Sequence, residues 1–261
     1  MGSQLPLSTN PCRAGNKTAL PAIARSLLYS LCVMLDSPLS SPVDKENLPS
    51  ATRAGTKEHI WIPTDGFDGD LSHMTSPFDS GWLKSIFNVS SSLPWQKPFS
   101  KNGRQIKRSV CWLTDPTVSL PYKYSGLTFY PQDFPSWFVE FQKSVFAVAQ
   151  VEDIGFNSCN VNYYHDGSEY VDWHADDEAI FGNAQSIVPI LSLSIGQSRD
   201  FLIKSNETDL ITTLCLGDGD LLFMGGLIQA THKHQVPKSS CRGGRLNFTW
   251  RRILPGVVGS S

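Results

Sequence analysis

The chain has 261 residues, of which 40% are hydrophobic, and its 22 Lys and Arg and 24 Asp and Glu give a formal net charge of −2 at pH 7. This length and apolar content suffice for one substantial core, which predicts one domain with an extension. The slightly acidic balance excludes a protein that binds polyanions through an overall positive charge.

Residues 1–35 contain no Asp or Glu, and their cations are Arg13, Lys17 and Arg25. This composition is compatible with an organelle transit peptide and equally with an unstructured tail. The apolar run 19–35 is interrupted by Arg25, so it falls short of the ~20 uninterrupted apolar residues that a membrane span needs. The Ser- and Pro-containing segment 36–56 is predicted to be a linker.

Basic residues accumulate in two stretches that lack acids, one between Asp79 and Asp115 and one after Asp220. The first stretch carries Lys84, Lys97, Lys101, Arg104, Lys107 and Arg108, and the second carries Lys233, Lys238, Arg242, Arg245, Arg251 and Arg252. Such stripes can follow a phosphate backbone even in a protein that is acidic overall. For each charge taken singly, a solvated basic surface is the alternative.

The middle of the chain predicts one helix followed by several strands. An amphipathic helix is predicted over residues 134–150, because apolar residues recur there at helical spacing, namely Phe134, Trp137, Phe138, Phe141 and Val145. We expect its aromatic stripe to be core and to cover a sheet. Short strand-like runs follow at 159–164, 187–195, 200–203, 210–216, 220–224 and 245–253. Such a succession favours a sandwich or barrel.

A pattern of metal-binding residue types lies within this strand-rich part. His174 and Asp176 are two residues apart, so on an extended segment their side chains share one face. A later histidine, His234 or its neighbour His232, would complete the two-imidazole, one-carboxylate triad that holds Fe(II) with three positions open. A His-x-Asp motif alone is weak evidence for a metal site, because a histidine is more often a structural residue than a ligand. The evidence is stronger here because the motif is followed, at a long strand-rich interval, by the later histidine and then by the two arginines.

Polar side chains alternate with apolar ones in the segment 245–251. Arg245, Asn247, Thr249 and Arg251 would therefore line one wall of a strand. The planar guanidinium fork suits a carboxylate better than an ammonium does, so an arginine here can anchor a dicarboxylate cosubstrate beside the metal.

Several segments together identify a family. In chain order they are Asn-Tyr-Tyr-His-Asp-Gly at 162–167, Trp-His-Ala-Asp-Asp-Glu at 173–178, 192–201, 219–224, His-Gln-Val-Pro at 234–237 and 245–251. They resemble the AlkB-like Fe(II)/2-oxoglutarate dioxygenases over residues 105–254. The resemblance implies an α+β, mainly β fold, a double-stranded β-helix (jelly roll) with a supporting helix on one sheet. It divides the chain into an extension and linker at 1–56, a dioxygenase domain at 57–255 and a tail at 256–261.

The resemblance implies Fe(II) as the metal and 2-oxoglutarate as the cosubstrate. The iron ligands would be His174, Asp176 and His234, and His234 is preferred to His232 because His-x-Val-Pro matches the family's last histidine. The positions that match 2-oxoglutarate ligands in the family are Asn162, Tyr164, Arg245, Asn247, Thr249 and Arg251.

The activity that the resemblance implies is oxidative demethylation of alkylated bases in DNA or RNA, as in DNA repair. Such enzymes use Fe(II), O₂ and 2-oxoglutarate and release succinate, CO₂ and formaldehyde. A base reaches a buried metal only after leaving its stack. The positions that match substrate contacts are Arg108, Trp112, Tyr122, Tyr124, Asp177 and Glu178. The acidic pair would favour a cationic base, and core packing is the alternative for each aromatic residue.

Other readings of the same residues stay open. Trp112-Leu113 departs from the Tyr-Gly that is usual in the family's substrate lid, which leaves substrate preference open. A 2-oxoglutarate-dependent hydroxylase of a protein or small molecule would share the metal and cosubstrate sites, and a catalytically silent nucleic-acid-binding module would share the fold. We expect a monomer without a membrane segment. The six cysteines form no CxxC pair, so we expect reduced thiols in an intracellular protein. We expect it to be located in the nucleus or in an organelle.

Overall fold

The computed structural model describes residues 62–63, 71–99, 103–118, 120–124, 126–182 and 189–254. The side chains of Ile62, Pro63, Tyr124 and Asp153 are not among the described ones. The predicted extension and linker at 1–56 and the tail at 256–261 lie outside the described residues.

The described part of the chain contains fourteen strands, three α-helices and three short 3₁₀ turns. The strands are β1 (Ile62–Pro63), β2 (Leu71–Met74), β3 (Ser109–Thr114), β4 (Tyr122–Tyr124), β5 (Leu127–Phe129), β6 (Gln132–Asp133), β7 (Ser158–Tyr164), β8 (Val171–His174), β9 (Ile190–Gly196), β10 (Arg199–Ser205), β11 (Ile211–Leu216), β12 (Leu221–Met224), β13 (His232–Val236) and β14 (Arg245–Arg251). The helices are α1 (Ser80–Val89), α2 (Ser136–Ala149) and α3 (Ile228–Thr231), and the 3₁₀ turns are Ser90–Ser92, Glu152–Ile154 and Ala179–Phe181.

Two sheets form the body of the domain. The larger sheet has eight strands in the order β1-β2-β12-β9-β14-β7-β3-β6, and the smaller has four in the order β11-β10-β13-β8. All neighbours are antiparallel except β3 and β6. The hairpin β4-β5 forms a separate two-stranded sheet. This mainly β architecture, with helices packed on one sheet, confirms the predicted fold class.

The core has two layers because the larger sheet is covered on both faces. On one face, α1 and α2 pack against side chains such as Cys159, Leu193 and Trp250. On the other face, side chains of both sheets meet, among them Trp112, Ile203 and Val236. Burying both faces explains why every residue of β14 is buried although polar and apolar residues alternate along it.

Local sequence explains where the two longer helices begin and end. The Asp79 carboxylate accepts hydrogen bonds from the backbone N–H groups of Gly81 and Trp82, which caps the first turn of α1. Helix α2 follows Pro135 and ends at Ala149, and the next residue, Gln150, caps it in a left-handed conformation with φ of 57°. The predicted helix over 134–150 is thus confirmed, whereas α1 was not predicted.

The predicted strand runs are confirmed within one to three residues where they are described. The run at 187–195 appears as β9, although 187–188 lie outside the described residues. The run at 245–253 ends earlier, as β14, at Arg251. None of the helices in the described residues is long and apolar enough to cross a membrane.

Candidate metal centre

Three predicted metal ligands converge at one end of the smaller sheet. His174 ends β8, Asp176 follows it by two residues, and His234 stands directly opposite His174 in the antiparallel ladder of β8 and β13. One ligand atom from each residue lies within 4.8 Å of the others. Asp176 Oδ1 is 4.0 Å from His174 Nε2, and Asp176 Oδ2 is 3.8 Å from His234 Nε2. This arrangement can hold one metal ion.

Neighbouring groups orient these donors. His174 Nδ1 lies 2.8 Å from the carbonyl oxygen of Asp172, and because a carbonyl only accepts, Nδ1 carries the proton and Nε2 keeps its lone pair. The backbone N–H of Asp176 donates to the side chain of Gln229 at 2.9 Å. The Phe201 ring stacks on His234 with centroids 5.2 Å apart. The site is therefore held by contacts outside the triad.

The protonation states suit a divalent cation. Burial lowers the pKa of His174 and lowers that of His234 to about 3, so both imidazoles are neutral at pH 7. Burial alone would raise the pKa of Asp176, but the charge of the Arg251 guanidinium and its hydrogen bond to the carboxylate outweigh burial and hold the pKa well below its usual range. Two neutral imidazoles and one carboxylate are the donor set of the Fe(II) facial triad.

The rival histidine is placed differently. His232 stands opposite Ser205 in the ladder of β10 and β13, and its Nδ1 lies 2.8 Å from the Thr231 hydroxyl. Among the described residues it does not belong to the group that can hold a metal. The geometry therefore favours His234, as the family's His-x-Val-Pro pattern did.

Polar side chains of β14 and β7 line a cavity that is open to solvent and also contains the triad. Asn247, Thr249 and Arg251 face it from β14, and Asn162 and Tyr164 face it from β7. The apolar residues between them, Leu246, Phe248 and Trp250, face the helices instead. The predicted alternation is confirmed for Asn247, Thr249 and Arg251, which line one wall, whereas Arg245 is not among the residues that line the cavity.

Arg245 lies at the end of this row and is 1% exposed. Its Nη2 donates to the Ser194 hydroxyl at 2.8 Å, whereas Nε and Nη1 have no hydrogen-bond partner in the described part of the chain. Burial lowers the pKa of Arg245 to about 10, with nearby Tyr164 acting in the opposite direction, so the guanidinium is charged at neutral pH. A buried cation with unused donors is costly unless an anion binds it. The site thus fits a carboxylate ligand.

Arg251 has a second contact that the sequence did not predict. Its Nη2 donates to Asp176 Oδ2 at 2.6 Å, while Nε and Nη1 remain without a hydrogen-bond partner among the described residues. The guanidinium also lies 5.2 Å from the Phe181 ring centroid. Arg251 therefore links the metal-binding carboxylate to the cavity wall.

The predicted substrate residues fall into different environments. Arg108 and Tyr122 line the cavity, and Arg108 Nε donates to Asn162 at 2.7 Å. Trp112 is 1% exposed and packs on Tyr122 with centroids 4.8 Å apart, outside the cavity lining. Asp177 is exposed. Tyr124 lies in β4, but its side chain is outside the described ones.

Glu178 accepts a hydrogen bond from the Tyr122 hydroxyl at 3.0 Å. Burial first, and then repulsion from Asp176, raises the pKa of Glu178 to about 7. A carboxyl group therefore stands beside the cavity wall, close to its point of half-ionisation at neutral pH.

Sequence reasoning missed several residues that shape the site. Gln229, Phe201 and Ser192 were not singled out, although Phe201 and Ser192 line the cavity and Gln229 bonds to the backbone of Asp176. Ser192 and Phe201 lie in the segment 192–201, which is part of the resemblance to the family. The resemblance could therefore have identified them as site residues. Gln229 lies in α3, and no local pattern marked it.

Comparisons with known proteins match the chain to one family model, to curated relatives and to a solved structure. A model of the 2OG-Fe(II) oxygenase superfamily matches residues 74–251, which include the triad and β14. The chain is 28% identical over 238 residues to the Arabidopsis thaliana protein "DNA oxidative demethylase ALKBH2", which covers 79% of this chain and 72% of that protein. It is 34% identical over 196 residues to the Mus musculus protein "Alpha-ketoglutarate-dependent dioxygenase alkB homolog 3", which covers 70% of this chain and 64% of that protein. The solved structure of OsALKBH1 matches with a TM-score of 0.48 and 19% identity, over 70% of this chain and 96% of that one.

Proposed function

The chain belongs to the 2OG-Fe(II) oxygenase superfamily, and we propose that it oxidatively removes alkyl groups from nucleic-acid bases, using Fe(II), O₂ and 2-oxoglutarate. One observation carries the proposal: the donors of His174, Asp176 and His234 lie within 4.8 Å of one another in a cavity whose wall leads to the buried cation Arg245. A metal and a dicarboxylate can thus be held side by side.

The metal and the cosubstrate would be bound by different residues. His174, Asp176 and His234 would hold Fe(II), and the ion pair with Arg251 keeps the Asp176 carboxylate ionised and fixed. Arg245 would anchor the distal carboxylate of 2-oxoglutarate, while Asn162, Tyr164, Asn247 and Thr249 would line its place along the wall. Bound together, Fe(II) and 2-oxoglutarate supply the oxidation of the alkyl carbon by O₂. The protein's own part is to bind, orient and keep water away.

The part of the cavity lining that contains Tyr122 suits a flat base. Tyr122 lines the cavity and is itself packed against Trp112 and Phe181, so its ring is held rigidly. A base that has left its stack can lie against such a ring. The Glu178 carboxyl beside Tyr122 would attract a cationic, alkylated base more than a neutral one. Arg108 and Tyr122 are the proposed direct contacts, with Asp177 and Tyr124 as further predicted ones, and the buried Trp112 supports the Tyr122 ring.

The names of the two relatives support this substrate class, since one is called a DNA oxidative demethylase. Because this chain spans 64% to 72% of these relatives, the activity of the whole protein remains our proposal. We further propose that the protein acts as a monomer in the nucleus or in an organelle. Light scattering on the purified chain and imaging of a tagged full-length chain test these two points.

Product analysis tests the proposed activity. The full chain is incubated with Fe(II), ascorbate and 2-oxoglutarate, together with DNA or RNA oligonucleotides that carry 1-methyladenine, 3-methylcytosine or N6-methyladenine. We expect succinate and formaldehyde in equal amounts, only with a methylated oligonucleotide. Succinate release that needs a peptide or a metabolite instead would support the hydroxylase alternative. Binding of metal and 2-oxoglutarate without any turnover would support the silent module.

A further inference from the structure

A second buried arginine, Arg199, lies close to the proposed cosubstrate site without lining the cavity. It begins β10 and is 2% exposed. Its Nη1 donates to the carbonyl oxygen of Asp166 at 3.1 Å, and its Nη2 donates to the carbonyl oxygens of Glu169 and Pro237. Arg199 therefore ties together the loop that follows β7 and the loop that follows β13.

The charge of Arg199 is not balanced by an ion pair among the described residues. The carboxylates of Asp166 and Glu169, whose carbonyl groups bond to Arg199, have closer partners of their own. Asp166 accepts from the backbone N–H and the hydroxyl of Ser168, and Glu169 pairs with Lys97. Three carbonyl dipoles solvate the guanidinium, and the Asp166 carboxylate interacts with it electrostatically without forming an ion pair with it. A buried charge in this state raises the positive potential around it.

The positive potential around Arg199 extends to the proposed cosubstrate site. The guanidinium carbon of Arg199 lies 5.6 Å from the ring centroid of Tyr164, and that of Arg245 lies 5.5 Å from the same centroid. Tyr164 itself lines the cavity. Two buried cations thus contact one cavity-lining ring, and among the described residues neither forms an ion pair with a carboxylate.

We propose that Arg199 is a positioning residue for the cosubstrate: it fixes the Tyr164 ring and the two loops, and it adds a second positive charge beside Arg245, so that the pocket selects a dicarboxylate. The inference rests on the proposed function, because it assumes that the distal carboxylate binds at Arg245. It predicts discrimination against a 2-oxo acid whose distal end is neutral.

Ligand binding without turnover tests this inference. The full chain is loaded with Mn(II), and calorimetry measures the dissociation constants of 2-oxoglutarate and of 2-oxopentanoate, which has the same five carbons but a methyl group at the distal end. Arg199→Met should weaken 2-oxoglutarate binding on the order of tenfold and change 2-oxopentanoate binding much less. Arg199→Lys should keep most of the preference because it keeps the charge, although it loses the guanidinium fork and with it some thermal stability.

Lys238→Met is the matched control, because Lys238 is an exposed cation of the loop that follows β13 and lies over the ring of Tyr170. It should leave the ratio of the two dissociation constants unchanged. If Arg199→Met loses the same affinity for both ligands, Arg199 has only a structural role. The same conclusion follows if Arg199→Lys folds but no longer prefers 2-oxoglutarate to 2-oxopentanoate. If the wild-type chain binds neither Mn(II) nor 2-oxoglutarate, the proposed function itself fails, and this inference fails with it.

Discussion

Arg251 Nη2 donates a hydrogen bond to Asp176 Oδ2 at 2.6 Å, joining two residues that are 75 positions apart. Both side chains are almost fully buried. The carboxylate that would bind the metal is therefore also the counter-ion of a buried arginine. The metal site is part of the packed interior, although Asp176 stands just past the end of β8.

Replacement of Arg251 by Met should weaken the metal site and the fold together. It leaves the Asp176 carboxylate buried without its partner, and breaking a buried pair in this way costs about 3–5 kcal/mol. Urea unfolding measures the stability, and titration with Mn(II) measures the metal affinity. Arg252→Met, at the exposed neighbouring position, is the control and should behave like wild type. Unchanged stability in Arg251→Met would mean that the ion pair is not formed in solution.

Arg245→Lys should chiefly weaken 2-oxoglutarate binding. The ammonium keeps the charge but lacks the planar fork, so we expect the dissociation constant to rise about tenfold or more. Calorimetric titration of the Mn(II)-loaded protein gives this constant directly. The exposed Arg242→Lys serves as the control and should leave it unchanged. If Arg245→Lys binds 2-oxoglutarate like wild type, another residue anchors the carboxylate.

Trp112→Ala should act mainly on stability. The indole is 1% exposed and packs against Tyr122 and Phe181, so its removal leaves a cavity that costs about 3–5 kcal/mol. Trp173→Ala, at a half-buried position of β8, is the control and should cost less. Urea unfolding compares the two. A Trp112→Ala protein of normal stability that no longer binds methylated oligonucleotide would instead identify Trp112 as a base contact.

Asp220 should give the fold a measurable dependence on acid. Burial alone would raise its pKa, but hydrogen bonds from His73 and from the backbone N–H groups of Gly217 and Ser76 lower it below its ordinary value. A lowered folded-state pKa contributes stability above the unfolded-state pKa of about 3.9, and this stability is lost as the pH falls through the folded-state value.

The difference in melting temperature between wild type and Asp220→Asn should therefore be largest near neutral pH and should shrink below about pH 4. Calorimetry across this range measures it. Asp218→Asn is a suitable control for the neighbouring turn, because within the described part of the chain the Asp218 side chain accepts only from the backbone N–H of Gly196. A difference that is constant from neutral to acidic pH would show that the Asp220 carboxylate contributes no ionisation-linked stability.

Sequence patterns predicted the parts of the site that depend on local geometry. The alternation along β14 needs only the two-residue period of a strand, and the structure confirms it from Asn247 to Arg251. The choice between His232 and His234 could not come from that period, because both lie on one face of a strand. It depends on register, which places His234 opposite His174.

The residues that were missed act through long-range contacts. Gln229 bonds to Asp176 across 53 positions, and Arg199 reaches carbonyl groups 30 to 38 positions away in two loops. No local periodicity encodes such pairs, since they follow from how the two sheets and their loops meet. Helix α1 was missed for a different reason: it is ten residues long, and its signal was only the Asp79 cap before Trp82, Leu83 and Ile86.

Metal titration examines the triad itself, because every other proposed role depends on three donors that share one ion. The loss of the free Mn(II) electron paramagnetic resonance signal reports binding to the full chain. We predict one ion per wild-type chain, the same for His232→Ala, and loss of this binding for His174→Ala and for His234→Ala. Normal Mn(II) binding by His234→Ala, or its loss in His232→Ala alone, would contradict the account.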